Sequence, residues 1–264
     1  MSMVSGAELL SIAIKSARAA GNVINKRINT PKRVSYKGIV DLVTDVDRLC
    51  EKTIMTIINK RFPSHAILTE ELGSVPGHSD YRWIIDPIDG TTNFYHAYPF
   101  VSVSIALEYK GSVTIGVVYD PIKKELFYAR KGAGAFLNKK RLHVSGVDAI
   151  EHALLSTGFP YDLRTSSENN LDNWIKIIRK AQAIRRDGSA ALDLCYVAAG
   201  RFDGFWEMKL KPWDVAAGSL IVSEAGGTVT DFHGDRYSIY TDHIVAANPH
   251  LHHILLDVLA NKDA

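Results

Sequence analysis

The sequence predicts an α/β (α+β) fold, and three observations carry that expectation. Apolar residues recur at helical spacing over residues 7–24 and 45–61. Val101, Val103, Ile105 and Leu107 alternate with Ser102, Ser104 and Ala106, the period of a half-buried strand. Beyond residue 171 helical and strand patterns interleave, so sheets covered by helices are expected.

The elements follow in chain order. A first helix is expected over residues 7–23, where Leu10, Ala13, Ile14, Ala17 and Ile24 share one face. Residues 32–36 read as a strand, Lys37-Gly38 as a turn, and residues 45–61 as a second helix burying Val46, Cys50, Ile54, Ile57 and Ile58. Short strands at 66–68 and 81–85 both run into acidic residues. Strands at 113–119 and 125–129 flank the turn Asp120-Pro121. Lys131-Gly132-Ala133-Gly134 lacks the spacing of a P-loop or a dinucleotide fingerprint and reads as a hairpin turn. The second half gives helices at 171–183, 189–199 and 215–225, strands at 183–186 and 202–207, two further strands and a closing helix at 251–259.

With 264 residues, 46% of them hydrophobic, the chain can bury a core as one unit over residues 1–264, in one domain or two closely packed halves. A net charge of +2 offers no basic surplus for nucleic acid and no acidic tail. Cys50 and Cys195 form no C-x-x-C pair and fall within expected helices, which predicts buried thiols in a reducing compartment. No apolar run approaches the roughly 20 residues of a membrane span. A cytoplasmic protein is expected.

The densest chemistry lies in Asp86-Pro87-Ile88-Asp89-Gly90-Thr91-Thr92-Asn93-Phe94. An apolar strand delivers Asp86 to its end, and Pro87 with Gly90 predicts a tight turn that brings Asp89 back beside it. Two carboxylates facing one point repel unless one is protonated or a cation lies between them. An oxygen-only cluster suits Mg2+, Mn2+ or Ca2+ rather than zinc. Gly90, Thr91 and Thr92 then open a turn whose free N–H groups suit an anion. The plainer readings are a surface turn capped by Asp89, a solvated pair at Glu70-Glu71, a capping cluster at Asp45-Val46-Asp47 and a helix N-cap at Asp214. Asp45-Val46-Asp47 also has the Asp-x-Asp form of dehalogenase-type phosphatases, but Leu49 stands where Thr or Val belongs.

Taken together these segments resemble the inositol monophosphatase family of metal-dependent, lithium-sensitive sugar phosphatases. The matching pieces are Asp41 through Asp47, Thr69-Glu70-Glu71, Asp86 through Phe94, Gly188 through Asp193, Lys211 through Gly218, and Glu224 through Gly227, in order and spacing. The resemblance implies a layered αβαβα sandwich of the sugar-phosphatase type, with a metal-binding half at 1–143 and a substrate-binding half at 144–264. It implies two to three Mg2+ ions. Glu70, Asp86 and the carbonyl of Ile88 would hold the first; Asp86, Asp89 and Asp214 the second; a third, weaker ion would sit near Glu70 through water. Thr91, polarised by Asp47, would orient a metal-activated water for in-line attack on phosphorus.

On the substrate side the resemblance implies contacts from Asp89, Gly90, Thr91, Gly188, Ser189, Ala190, Glu207 and Asp214 to a small phosphorylated polyol or sugar. Thr91-Thr92-Asn93-Phe94 is similar to the branch acting on myo-inositol-1-phosphate. Fructose bisphosphate, histidinol phosphate and glycerol phosphate are the same-chemistry alternatives. A homodimer is implied, and an RNA-polymerase or ribosome-biogenesis role is the alternative of another class. Asp187 brings an acid where a neutral residue is more usual, which disfavours a second phosphate. For Glu207 the plain reading is a surface acid on an edge strand. Arg185-Arg186 reads equally as a phosphate contact or a strand edge, and His250, His252 and His253 as a solvated helix start.

Overall fold

The computed structural model describes residues 5–38 and 40–260. The first helix, α1 (Gly6–Arg27), is capped by Ser5. A small hairpin, β1 (Val34–Tyr36) and β2 (Leu42–Thr44), leads into α2 (Asp45–Arg61). Then come β3 (Ala66–Thr69), β4 (Gly73–Val75), β5 (Tyr81–Asp89), the short α3 (Thr91–Tyr95), β6 (Ser102–Tyr109), β7 (Ser112–Asp120), β8 (Glu125–Arg130), β9 (Ala135–Leu137) and β10 (Lys140–Arg141). The rest of the chain gives β11 (Leu154–Thr157), α4 (Leu171–Ile178), β12 (Ala183–Arg185), α5 (Ala190–Ala198), β13 (Gly204–Met208), α6 (Pro212–Glu224), β14 (Thr228–Thr230), β15 (His243–Ala247) and α7 (Pro249–Leu259).

Two sheets organise these elements. The first has eight strands in the order β10-β9-β8-β7-β6-β5-β3-β4, with β3 and β5 the parallel pair. The second has five, β12-β11-β13-β15-β14, and β11 runs parallel to both its neighbours. Central strands of the large sheet are buried on both faces. Trp83 and Ile85 join a core under α1 and α2, while Ile84 between them joins a core with α5 and α6. Phe205 and Ala246 of the small sheet reach that second core from the other side, and Trp206 and Val245 face α4 and α7 in a third. The layers therefore run α1/α2, large sheet, α5/α6, small sheet, α4/α7, the sandwich that the resemblance implied.

Several local expectations need correction. β5 does not stop at residue 85; it runs on to Asp89 through an irregularity that pairs Asp86 with Ser104 and Asp89 with Ser102. α4 ends at Ile178, short of the expected 183. α1 buries Leu9, Ala13, Ala17, Ala20 and Ile24, so its inner face is rotated away from Leu10 and Ile14. β13 is the middle strand of its sheet, which overturns the edge-strand reading of Glu207. His252 is buried and paired with the Thr230 hydroxyl at 3.0 Å instead of being solvated. Cys50 and Cys195 are free and buried, as expected. Among the described residues no helix is long and apolar enough to cross a membrane.

Candidate active site

The ends of β3, β5 and β13 and the first turns of α2, α3, α5 and α6 meet around one region, with a cleft of about 310 Å3 between the two sheets. Asp89, Gly90, Thr91, Gly188, Ser189, Ala190, Glu207 and Asp214 line the cleft. Three of the expected site residues, Asp47, Gly90 and Asp214, are anchored at helix starts. Thr44 caps α2, and Asp47 at its third position returns a carboxylate to the Thr44 N–H at 2.8 Å. Asp214 is the third residue of α6, not its N-cap, and accepts the Lys211 N–H at 2.7 Å. Gly90, not Asp89, caps α3, with φ +94°; a Cβ there would lie 3.0 Å from the Phe100 carbonyl and 3.1 Å from that of Gly188.

Each carboxylate is tied down on one side. Asp86 Oδ1 accepts the Ile88 N–H at 2.9 Å. Asp89 Oδ2 accepts the Ala191 N–H at 2.8 Å and the hydroxyls of Ser189 and Ser102. These bonds from the start of α5 and from β6 fix Asp89 while Oδ1 takes none of them. Asp47 Oδ2 is held by Thr44, and Oδ1 accepts from the Thr91 hydroxyl at 3.0 Å. Thr91 also lies 2.9 Å from the Ile88 carbonyl, so one proton is shared between two acceptors.

Burial and mutual repulsion raise these acids. Asp86 is held well above the usual carboxylate range by burial, then by the charges of Glu70, Asp89, Asp214 and Asp47. Asp214 is raised in the same way, by burial and then by Asp89, Glu70 and Glu207 against the Lys211 N–H bond. Burial lifts Asp89 to about 6 against its hydrogen bonds, and Asp47 to about 6. Glu70 rises to about 7, again through burial, although the Lys37 ammonium 3.1 Å away opposes it. Asp86, Asp89 and Asp214 oppose one another's ionisation with no ammonium or guanidinium paired to them among the described residues, which points to a cation.

The donor set fits a hard divalent ion. All side-chain donors are oxygens, and Asp86, Asp89 and Asp214 each have one oxygen outside the hydrogen bonds that anchor the other. Among the described residues no three His, Cys, Asp or Glu side chains converge tightly enough to form a ready-made cluster. Glu70 instead turns to Lys37, which also holds Glu71 at 2.6 Å; the ammonium takes the place of a cation on that side.

Sequence reasoning missed several residues. Asn93 Nδ2 donates to the carbonyls of Phe100 and Asp187, at 2.8 and 2.7 Å, joining the Asp89–Thr92 segment to the 187–190 loop. Asp193 lines the cleft fully buried, with Oδ1 lacking a hydrogen-bond partner. Tyr161 lines it from the opposite loop. Of the arginine pair, Arg186 lines the cleft, and its charge opposes the burial that lifts Glu207 to about 8. Asn93 and Asp193 stood inside quoted motifs, but nothing in their spacing assigns them a role. Tyr161 sits in a loop without any periodic pattern.

Residues 6–263 match the inositol monophosphatase family model. The chain is 48% identical over 249 residues to the Nus factor SuhB of Pseudomonas aeruginosa, covering 91% of each chain. It is likewise 48% identical to the Nus factor SuhB of Escherichia coli K12 over 244 residues, again 91% of each. The solved extragenic suppressor protein suhB of Bartonella henselae superposes with a TM-score of 0.91 at 40% identity, covering 97% of this chain and 100% of that one. The inositol monophosphatase of Anabaena (Nostoc) sp. PCC 7120 gives 0.88 at 40% identity, covering 96% and 95%.

Proposed function

This chain belongs to the inositol monophosphatase family, and on that premise we propose that it hydrolyses myo-inositol-1-phosphate to inositol and phosphate with Mg2+. The observation that supports this reading most is the set of mutually repelling carboxylates beside the Asp47–Thr91 pair, Asp86 and Asp89 buried and Glu70 and Asp214 half-buried. Glu70, Asp86, the Ile88 carbonyl, Asp89 and Asp214 would hold two to three ions. Bound Mg2+ would acidify water, neutralise the phosphate and stabilise the departing alkoxide.

The protein's own groups then divide the work. Thr91, with its proton committed to Asp47 or Ile88, presents lone pairs and accepts a hydrogen bond from the attacking water. Asp47, lifted to about 6, is ionised at neutral pH and can take the proton passed through Thr91. Gly90 and Thr91 would receive phosphate oxygens at the start of the α3 turn. Ser189, Ala190 and Glu207 would face the polyol, with Gly188 giving the loop its left-handed bend at φ +84°. The half at 1–143 would supply most of the metal side and the half at 144–264 most of the polyol side of one unit, with Asp214 crossing from the second half to the metals.

Phosphate release from a panel of monoesters, with Mg2+ and with EDTA, tests the reading. Hydrolysis that persists in excess EDTA would overturn the metal assignment. Preference for fructose bisphosphate, histidinol phosphate or glycerol phosphate would move the substrate within the same chemistry. The names of the 48%-identical relatives favour a second role, association with the transcription machinery. Co-purification of RNA polymerase with the tagged chain, with and without Mg2+, tests it.

A further inference from the structure

Glu51 is a buried carboxylate that the proposed chemistry leaves unused. It is 2% exposed, and no cation among the described residues pairs with it. An acid so placed is costly unless hydrogen bonds hold it. Those bonds are specific. Glu51 Oε2 accepts the hydroxyl proton of Thr69 and, at 3.0 Å, the N–H of Glu71. Thr69 is the last residue of β3 and is itself fully buried. Both neighbours of Glu70 are therefore gripped by one oxygen, while the Glu70 N–H reaches the Ile85 carbonyl, next to Asp86, at 3.3 Å.

The helix that supplies Glu51 also supplies Asp47, one turn earlier on the same buried face. One rigid element thus carries the acid that engages Thr91 and the acid that grips the chain around Glu70. We propose that Glu51 is a positioning residue for Glu70. It fixes the backbone at residues 69–71 so that the Glu70 carboxylate is presented toward Asp86, at a constant distance from the Asp47–Thr91 pair. The proposal rests on the reading of Glu70 as a Mg2+ ligand. Without the grip, Glu70 is held mainly by Lys37, which binds Glu71 as well.

Groups that orient a metal ligand typically change metal affinity about 10- to 100-fold when removed. The test is a calorimetric Mg2+ titration of the full chain in wild-type, Glu51→Gln, Glu51→Ala and Thr69→Val forms, alongside kcat and the Mg2+ requirement on p-nitrophenyl phosphate. Gln keeps one acceptor oxygen and should weaken Mg2+ binding by about 10-fold; Ala should approach about 100-fold. Thr69→Val, which removes one of the two bonds, should fall near Gln. Turnover at saturating Mg2+ should recover to within about threefold of wild type, because no group touching the phosphate has changed.

If Glu51 only supports the fold, its replacement lowers the melting temperature in EDTA and leaves Mg2+ affinity untouched. That outcome overturns the proposal. If Glu51→Ala fails to fold, Glu51→Gln and Thr69→Val carry the comparison. A wild-type chain that binds no Mg2+ would sink the metal reading itself. It is distinguishable, because failure of the Glu51 proposal alone leaves a wild-type titration that the variants match.

Discussion

Thr91 donates its hydroxyl proton toward Asp47 Oδ1 at 3.0 Å, joining residues 44 positions apart in the chain. The contact works because each partner is fixed independently. Asp47 is locked into the α2 cap by Thr44, and Thr91 is the first residue of α3, reached through the left-handed Gly90. Neither side chain needs to reorganise for the hydroxyl to present lone pairs to the cleft.

Removing that hydroxyl should therefore cost turnover rather than binding. Thr91→Ala and Asp47→Asn should each lower kcat by roughly 10^2 to 10^4, the usual span for a positioned acid–base group. Thr91→Ser should retain most activity, because it keeps the oxygen. Steady-state rates at saturating Mg2+ decide it. A Thr91→Ala enzyme with near-normal kcat would remove the pair from the mechanism.

Asp86→Asn and Asp214→Asn should each reduce turnover at least ~100-fold while the fold survives, since each deletes a charge expected to face Mg2+. Far-UV circular dichroism checks the fold, and both variants should melt at least as high as wild type in EDTA. The structure gives the reason: the lost charge was opposed by burial and by its neighbours. Near-normal turnover of either variant at high Mg2+ contradicts the assignment.

The mixed α/β class was legible because its strands and helices carry clean periods, Val103, Ile105 and Leu107 pointing to one core and Ala106 to the other, whereas the order of the layers followed only from the family resemblance. The motif residues were legible through their order and spacing. Three-dimensional burial was not. Glu207 reads as a surface acid because an edge strand and a central strand look alike over five residues. The pairing of β13 between β11 and β15, which buries Glu207, is set by strands distant in sequence. Glu51 was legible in principle. An acid four residues after Asp47, in line with Val46, Cys50 and Ile54, breaks the apolar face of α2, and such a break marks either a defect or a role.

The raised carboxylates carry a pH prediction with a defined sign. Glu70 at about 7 and Asp47 and Asp89 at about 6 bind protons in the folded state that the unfolded chain releases near pH 4. Stability from these groups is thus complete below pH 4 and is lost as pH rises through 6 to 7. In EDTA the melting temperature should fall between about pH 5 and pH 8, beyond any trend in an Asp86→Asn, Asp214→Asn double variant. Mg2+ requires the ionised forms, so its stabilising shift should grow over the same interval. Equal Mg2+ shifts at pH 5.5 and pH 8 would count against the carboxylate cluster as the metal site.

Glu207 offers the test that separates recognition from chemistry. It is buried in the middle strand of the small sheet, and its carboxyl lies against Gly158, where a Cβ would come within 2.1 Å of Oε1. Burial lifts it to about 8, with Arg186 opposing, so near neutrality it can both donate to and accept from a hydroxyl. Glu207→Ala should raise the Michaelis constant for myo-inositol-1-phosphate and leave p-nitrophenyl phosphate nearly unchanged, because the latter offers no hydroxyl there. A neutral hydrogen bond is worth about 0.5–1.5 kcal/mol and one to a charged group about 1.5–3, so the loss should be roughly 2- to 12-fold at pH 7 and up to ~150-fold at pH 9. Gly158→Ala should have a similar effect without touching Glu207 chemically, because the added methyl displaces the carboxyl. An equal fall on both substrates would make Glu207 a support for the fold or the metals. No change on either substrate at either pH would leave the polyol unrecognised by this residue, and with it the preference for inositol phosphate would lose its main structural support.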